Sequence, residues 1–193
     1  MRARVPLVMF AALSSAGSRR ARRPTLPARG VMMSHYAGVQ LEIRLTSRPV
    51  AKRVSRGRRD SGDPLWAEGY PLEGDQKASV AYLAQLGLTG RSDPFGYYQI
   101  ILDGVVVGGI GFHGPPRDGL VEVGYGVVPG VRGQGVATAA LRLLLDVATG
   151  LDGVRRVCGR TNPDNVASQK VMEAVGMNMV GKDPEFWHYE MDL

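Results

Sequence analysis

A glycine-rich loop runs directly into an apolar helix in the stretch VPGVRGQGVATAALRLLLDVA, residues 128–148. The first amides of a helix have no intrahelical partner and carry the positive end of the helix dipole, so an anion can dock there. Gly133 and Gly135 remove side chains that would block its approach, and Arg132 adds a cation. The stretch therefore predicts a phosphate-binding loop. The alternative is a tight strand-to-helix turn without a ligand.

The spacing of the glycines separates this loop from two common nucleotide-binding motifs. The dinucleotide pattern G-x-G-x-x-G does not occur in RGQGVATAA, and no Gly-Lys-Ser or Gly-Lys-Thr follows the glycines as in a P-loop. This loop alone therefore does not identify the ligand, and a second motif elsewhere in the chain is needed.

Strands alternate with helices along the chain, with hairpins in the first half. Strands are predicted at VQLEIRL, YYQIIL, VVVGGIGF, LVEVGYGVV and VRRVCGR and near Met177 and Trp187. Helices are predicted from Glu73 to Gly87, from the glycine loop to Gly150, and from about Pro163 to Val175. The segment TSRPVAKRVSRG is either a polar helix or irregular, and Asp103-Gly104 predicts a two-residue hairpin turn. This order predicts one α/β (mixed α+β) domain.

The basic residues are concentrated at the N-terminal end of the chain. The net charge is +6, but residues 1–32 hold seven arginines and no acid, and the remaining 17 basic residues nearly balance the 18 acidic ones. Residues 33–193 are therefore close to neutral, which argues against a nucleic-acid partner. The run KRVSRGRR, residues 52–59, is interpreted as a solvated helix face, because no aromatic residues accompany it.

The cysteine and histidine content gives no sign of a metal site or of an internal disulfide. Cys158 is the single cysteine. The three histidines, His35, His113 and His188, are scattered without metal-ligand spacing.

Two motifs together resemble the GNAT superfamily of N-acetyltransferases. The pattern VEVGYGVVPGVRGQGVATAAL is similar to the acetyl-CoA-binding motif of that family, with Arg132, Gly135 and Ala137 matching Arg/Gln-x-x-Gly-x-Gly/Ala. Downstream, TNPDNVASQKVMEAVGM resembles the second family motif, an Asn-x-x-Ser helix (Asn165, Ser168) that closes on a Val-Gly-Met turn. The resemblance covers about residues 39–193 and is closest to ribosomal-protein N-terminal acetyltransferases.

This resemblance implies a GNAT-like single domain with a central mixed, mostly antiparallel sheet of about seven strands and helices on both faces. It implies acetyl-CoA as cosubstrate, no metal, and direct transfer of the acetyl group to a primary amine, either a protein N-terminus or a small molecule. Many family members carry a tyrosine acid where this chain has Met172. The alternative is therefore a non-catalytic acetyl-CoA-binding sensor or partner module. Family members often pair, so a homodimer is compatible with the resemblance.

The resemblance places cofactor contacts on a strand end, the glycine loop and the Asn motif. A backbone amide at Val127 or Val128, in the bulged end of the strand, is expected to donate to the oxyanion. Asn165 is expected to hold the pantetheine arm or simply to cap its helix. The full set of expected cofactor-binding residues is Val127, Val128, Arg132, Gly133, Gln134, Gly135, Val136, Ala137, Thr138 and Asn165.

Three side chains are candidates for proton transfer. The resemblance implies Ser168 as proton donor to the departing thiolate; otherwise it only fills a helix position. Glu122, on the strand beside the motif, is the first candidate for the general base, and the alternative is an edge carboxylate facing water. His113, in GFHGPP, is the second candidate, because an imidazole titrates near neutrality. Its alternative is a turn residue bonded to backbone.

The leader, residues 1–32, has three explanations. Arg2 and Arg4 before a short apolar run suit a secretory signal, and an arginine-rich, acid-free stretch suits an organelle transit peptide. The third explanation is disordered sequence upstream of a true start at Met32 or Met33. The third is favoured, because acetyl-CoA is an intracellular cosubstrate, and it predicts a cytoplasmic protein with its domain at residues 33–193. The apolar run is too short to span a bilayer, so no membrane partner is expected.

Overall fold

The computed structural model describes residues 30–36, 38–89 and 94–193, and within these residues the chain forms a nine-stranded sheet and four α-helices. The strands are β1 Val31–Tyr36, β2 Val39–Leu45, β3 Leu65–Trp66, β4 Tyr97–Leu102, β5 Val105–Phe112, β6 Leu120–Val127, β7 Arg156–Thr161, β8 Asn178–Lys182 and β9 Trp187–Asp192. The helices are α1 Arg48–Val54, α2 Glu73–Thr89, α3 Val136–Thr149 and α4 Val166–Ala174.

The sheet is mixed and mostly antiparallel, as the family resemblance implies. Its strand order is β1-β2-β4-β5-β6-β7-β9-β8, with the short β3 pairing with β5. Only the β3–β5 and β6–β7 pairs among the described strands are parallel. Nine strands rather than about seven are present, because β1 and the two-residue β3 give no clear sequence signal.

Strand β1 spans the predicted boundary between the leader and the domain. It pairs antiparallel with β2 in continuous register from Val31 to Tyr36. The predicted division between residues 32 and 33 therefore falls inside a strand. Residues 1–29, which make up most of the predicted leader, lie outside the described residues.

The hairpin between β4 and β5 confirms the prediction made from Asp103-Gly104. Both residues have positive φ, 46° for Asp103 and 78° for Gly104. Two consecutive left-handed residues form the turn whose twist matches that of paired strands. The turn fixes the antiparallel register of β4 against β5.

Helices cover both faces of the sheet, as expected. Successive residues of a strand point to opposite faces. A Cβ built on Gly126 would lie 3.1 Å from Leu72, just before α2, whereas the preceding Tyr125 donates its hydroxyl to the Ser168 carbonyl of α4. Helix α3 packs on the side of α4, where Arg142 donates to the Ala174 carbonyl at 3.0 Å, and α1 packs against α2.

Helix α3 lies at the centre of the core and anchors the glycine loop. Its buried residues are Val136, Ala139, Ala140, Leu141, Leu143, Leu144, Leu145, Val147 and Ala148. Because this helix is fixed by apolar packing, its first turn is held in place at the end of β6. None of the helices in the described residues is long and apolar enough to cross a membrane.

Candidate active site

A cleft opens where β6 and β7 separate. The two strands pair only from Leu120 opposite Arg156 to Glu122 opposite Cys158, although β6 continues to Val127. The end of β6, the glycine loop, the start of α3 and one side of α4 line a cavity of about 1110 Å³ there. We call this cavity the cofactor cleft. Its volume is slightly above the usual range for ligand pockets.

The glycine loop presents backbone amides to the cofactor cleft. Gly133 and Gly135 have φ of 72° and 75°, in the left-handed region that glycine tolerates and other residues avoid. The first intrahelical bond of α3 runs from the Ala139 amide to the Gly135 carbonyl at 3.0 Å. The amides of residues 136–138 precede that bond and belong to residues that line the cleft. The first turn of α3 can therefore donate to an anion, as the sequence predicts.

Two side chains of the loop turn back onto the backbone and brace it. Arg132 donates from Nε to the Val127 carbonyl at 3.2 Å, and Gln134 donates from Nε2 to the Gly130 carbonyl at 3.0 Å. The Gln134 side chain therefore supports the loop. Lys170 of α4 also lines the cleft, so the lining contains a second cation in addition to Arg132. Sequence reasoning missed Lys170, although it lies two residues after Ser168 in the second motif.

The pairing of β6 with β5 distinguishes the amide of Val127 from that of Val128. The Val128 amide donates to the Val107 carbonyl at 2.8 Å, so Val127, opposite Gly108, is a non-hydrogen-bonded pair of the ladder. The N–H and C=O of Val127 therefore point away from β5 and toward the cleft, where Arg132 reaches its carbonyl. Of the two expected donors, Val127 has the required orientation. The Val128 amide is already engaged in the sheet, so Val127 stays the candidate donor.

The expected bulge at the end of β6 is absent from its pairing with β5. The register runs without a shift from Phe112 opposite Val123 to Gly108 opposite Val127. A register shift occurs instead between β4 and β5, at Ile100/Ile101. The divergence of β6 and β7 alone therefore frees the edge of β6.

Asn165 and Ser168 both line the cleft from the start of α4. The Asn165 side chain accepts the Ser168 amide at 3.1 Å and so caps the helix. This contact uses its Oδ1 and leaves its amide group free to donate to a ligand. The Tyr125 hydroxyl donates to the Ser168 carbonyl at 3.0 Å and ties α4 to β6. Met172 is 2% exposed and packs against Gly159, so it belongs to the core.

A second cavity of about 590 Å³ lies on the opposite face of β6, between α2 and the sheet. Leu72, Tyr125 and Gly126 line both this second cavity and the cofactor cleft. Its floor consists of two cross-strand glycine pairs, Gly109 opposite Gly126 and Gly111 opposite Gly124. A patch of sheet without side chains therefore leads to the end of β6.

His113 and Glu122 form a pair at one end of the second cavity. His113 Nδ1 lies 3.1 Å from Glu122 Oε1, and Arg160 Nε lies 3.0 Å from the same oxygen. The hydrogen bond from His113 and the charges of His113 and Arg160 lower the pKa of Glu122 below its ordinary value. A carboxylate with a lowered pKa is a weaker base, which argues against Glu122 as the general base. Its contact with His113 instead favours a role in orienting the imidazole. The catalytic roles of both residues stay predictions.

Asp75 of α2 is a further ionisable group of the second cavity, and sequence reasoning missed it. It is 4% exposed, accepts the Leu72 amide at 2.8 Å and is hydrogen-bonded by Tyr97. Burial raises its pKa to about 6. In the sequence, an acidic residue in the first turn of a helix is typical of helix capping. The burial of Asp75 gives no sequence signal, because it depends on packing against β4 and β5.

The described residues contain no group of three or more His, Cys, Asp or Glu side chains that could hold a metal ion. Cys158, on β7, is partly buried, and burial raises its pKa to about 11. Its thiol is therefore a poor nucleophile at neutral pH.

A sequence model described as an acetyltransferase (GNAT) domain matches residues 60–178 of the chain. This range is more than half of its length, and the chain belongs to the GNAT acetyltransferase family. The uncharacterized N-acetyltransferase YjdG of Bacillus subtilis (strain 168) is 33% identical over 85 residues, which are 44% of this chain and 51% of that protein. The match thus spans about half the length of this curated relative.

Solved structures of ribosomal-protein acetyltransferases share the fold. The ribosomal-protein-S5-alanine acetyltransferase of Vibrio fischeri matches with a TM-score of 0.57 and 16% identity, over 83% of this chain and 96% of that chain. RimL, a ribosomal L7/L12 alpha-N-protein acetyltransferase in complex with coenzyme A, matches with a TM-score of 0.58 and 17% identity, over 79% and 94%. At these identities the likeness shows the fold.

Proposed function

We propose that the protein is an acetyl-CoA-dependent N-acetyltransferase that moves the acetyl group directly to a primary amine. The observation that carries this proposal is the backbone of Val127, whose amide points into the cleft at the place where β6 and β7 separate. An amide held in this way can donate to an oxyanion without reorganising. Family membership supports the reaction class.

The cofactor cleft fits an elongated ligand with phosphates at one end. Amides of the first turn of α3, with Arg132 and Lys170, would hold the pyrophosphate. The exposed edge of β6 would pair with the amides of the pantetheine arm in the manner of an added strand. The Asn165 side-chain amide would donate to the same arm from the other wall.

Acetyl-CoA supplies an activated acyl group: the amine nitrogen bonds to the thioester carbon, the C–S bond breaks, and coenzyme A leaves as the thiolate. The Val127 amide would stabilise the negative charge that forms on the carbonyl oxygen. Ser168, which lines the cleft from α4, would donate a proton to the thiolate. The second cavity would admit the amine, because it reaches the cofactor cleft at Leu72, Tyr125 and Gly126. His113, oriented by Glu122, stays a candidate for the proton acceptor.

Acetyl-CoA binding and turnover test the proposal together. A ligand at about 100 times its Kd adds about 2.7 kcal/mol to the free energy of unfolding. We therefore expect the full chain to gain several degrees in Tm with saturating acetyl-CoA, and to release coenzyme A when primary amines are added. Binding without turnover on any amine would favour the sensor or partner module. No increase in Tm at millimolar acetyl-CoA would contradict the function.

Replacing Ser168 by alanine is expected to have a small effect. A free thiol has a pKa of about 8.5, so a thiolate is an acceptable leaving group near neutral pH even without a donor. We expect kcat to fall by less than about tenfold at pH 7.5, well below the usual contribution of a general acid. Steady-state kinetics measure this, with Ser168→Thr as the variant that restores the hydroxyl. A fall of about a hundredfold or more would show that the proton donor is essential.

A further inference from the structure

Asp75 sets the charge of the second cavity. Among the described residues that line this cavity, Asp75 is the one carboxylate, and no lysine or arginine is present. His113 is the one histidine among these described lining residues. The remaining lining residues are glycines, alanines, aromatic residues and a few larger apolar or amide side chains. The cavity therefore suits a cation on a small, uncharged body.

A one-directional chain of hydrogen bonds ends at Asp75. Gln99 donates from Nε2 to the Tyr70 hydroxyl at 3.2 Å, the hydroxyls of Tyr70 and Tyr97 are 2.9 Å apart, and Tyr97 bonds to Asp75. Because an ionised carboxylate can only accept, Tyr97 gives its single hydroxyl proton to Asp75 and accepts the proton of Tyr70, which in turn accepts from Gln99. No ion pair to Asp75 occurs within the part of the chain that the structure describes. Hydrogen bonds from Tyr97 and the Leu72 amide therefore stabilise the Asp75 carboxylate, but no cationic side chain of the described residues pairs with it.

Asp75 lies near the oxyanion donor. A Cβ built on Gly109 would be 2.3 Å from Asp75 Oδ1, so the carboxylate lies directly over that glycine. Gly109 is opposite Gly126, the residue before Val127. His113 lies over Gly124, two residues further back along β6, which is about 7 Å in an extended strand. Of the two groups, Asp75 is closer to the end of β6 where the acyl group would be held.

We propose that Asp75 receives the acceptor as an ammonium ion and takes its proton, and that the substrate is a primary amine on a small, uncharged stem. This inference rests on the proposed acetyltransferase function. One N–H bond of the ammonium breaks, its proton passes to the Asp75 carboxylate, and the freed lone pair of nitrogen forms the bond to the thioester carbon. The second proton leaves nitrogen as the amide forms and replaces the proton that Ser168 gives to the thiolate, and Asp75 later returns its proton to water.

The chemistry of the cavity supports this assignment from two directions. A base is most effective when its pKa lies near the working pH, and burial raises the pKa of Asp75 to about 6. A volume of about 590 Å³ admits a small amine or the first residues of a peptide. Both sources present the same group, an ammonium on a compact stem. A substrate with a negative charge next to the amine would bring that charge close to the Asp75 carboxylate and is expected to be rejected.

Asp75 also accepts the Leu72 amide, so a purely structural role as a helix cap must be separated from the chemical one. Burial of an ionised carboxylate costs stability, because the pKa in the folded state lies above the ordinary value of 3.8. The cost is absent below the unfolded-state pKa and is fully present above about pH 6. Asp75→Asn is therefore expected to keep or raise Tm at pH 7.5, whereas a cap role alone predicts a lower Tm.

The experiment compares Asp75→Asn with Glu73→Gln, an exposed carboxylate of the same helical turn, in the full chain. The acceptors are benzylamine and a tripeptide that begins with alanine, which separate the two sources of the ammonium. We expect Asp75→Asn to lower kcat/KM by about 10²–10⁴-fold for the accepted source, with the Tm increase from acetyl-CoA unchanged. Glu73→Gln is expected to stay within about twofold of the unchanged protein.

The pH profile gives a readout that a structural role would not move. The other titratable groups around Asp75 are Tyr97 of β4, Tyr70 behind it, Glu73 and Lys77 on α2 itself, and His113 in the same cavity. The two tyrosines have raised pKa values and stay neutral, and Glu73 and Lys77 pair with each other at the surface. We expect kcat/KM to fall as the pH drops through about 6 in the unchanged protein, and this limb to be missing in Asp75→Asn.

Three results would overturn the assignment. One is an Asp75→Asn variant within about threefold of the unchanged protein while His113→Gln loses activity. Another is preference for a tripeptide that begins with aspartate. The third is a protein that binds acetyl-CoA but neither acetylates benzylamine or the tripeptide nor gains Tm from them in the presence of coenzyme A. Failure of acetyl-CoA itself to raise Tm would instead contradict the proposed function.

Discussion

Gly133→Glu is expected to abolish acetyl-CoA binding. Gly133 lines the cofactor cleft, and a Cβ built on it would meet nothing within 4 Å, so the new carboxylate would have room to extend toward the site proposed for the pyrophosphate. Two unit charges 4 Å apart near a protein surface repel by about 4 kcal/mol, which corresponds to about a thousandfold loss of affinity. The Tm increase with saturating acetyl-CoA, or the heat of binding in calorimetry, should therefore disappear.

Gly153→Glu is a matched control for backbone strain. Gly153 has φ of 82°, close to the 72° of Gly133, and a Cβ there also meets nothing within 4 Å. Both variants force a side chain into the left-handed region, at a cost of about 1–2 kcal/mol. We expect both variants to lower Tm by a similar amount in the absence of ligand. Only Gly153→Glu is expected to show the Tm increase when acetyl-CoA is added. Equal recovery of the two variants would show that the glycine loop is only a turn.

The elements that the sequence predicts well are those with a local signal. The β4–β5 hairpin follows from two residues that adopt positive φ, and α3 follows from a long apolar run after a glycine loop. Strand β1 is different, because it is defined by its pairing with β2 and lies next to the arginine-rich leader. The two-residue β3 likewise exists only through its contact with β5. Whether a short segment forms a strand depends on the strand it pairs with, and neither β1 nor β3 shows that dependence in its own residues.

The residues of the candidate site likewise fall into those that the sequence predicts and those that only the structure brings together. The predicted phosphate-binding loop is contiguous in sequence, so its glycines, Arg132 and the start of α3 could be predicted together. Asp75 could not, because its importance depends on three segments that meet in space: α2, Tyr97 of β4 and Gly109 of β5. The choice between Val127 and Val128 also needed the structure, since the direction of a strand amide depends on the ladder register.

Val127→Pro is expected to remove the oxyanion donor while leaving acetyl-CoA bound. Proline lacks the backbone N–H, and at this position the N–H points into the cleft, so no bond of the ladder with β5 is lost. Gly126, which precedes it, tolerates the restriction that proline imposes. Loss of one oxyanion donor costs about 10²–10³-fold in kcat. Steady-state kinetics with saturating acetyl-CoA and the best amine measure this effect.

Val127→Ala is the control that separates the amide from the side chain, because it keeps the N–H and removes two methyl groups of a buried residue. We expect Val127→Ala to lose stability but to keep kcat within about threefold. The Tm increase from acetyl-CoA should persist in both variants, since the amides of α3, Arg132 and Lys170 are untouched. If Val127→Pro keeps full activity while folded, another donor stabilises the oxyanion. If Val127→Ala is as inactive as Val127→Pro, the side chain rather than the amide positions the acyl group.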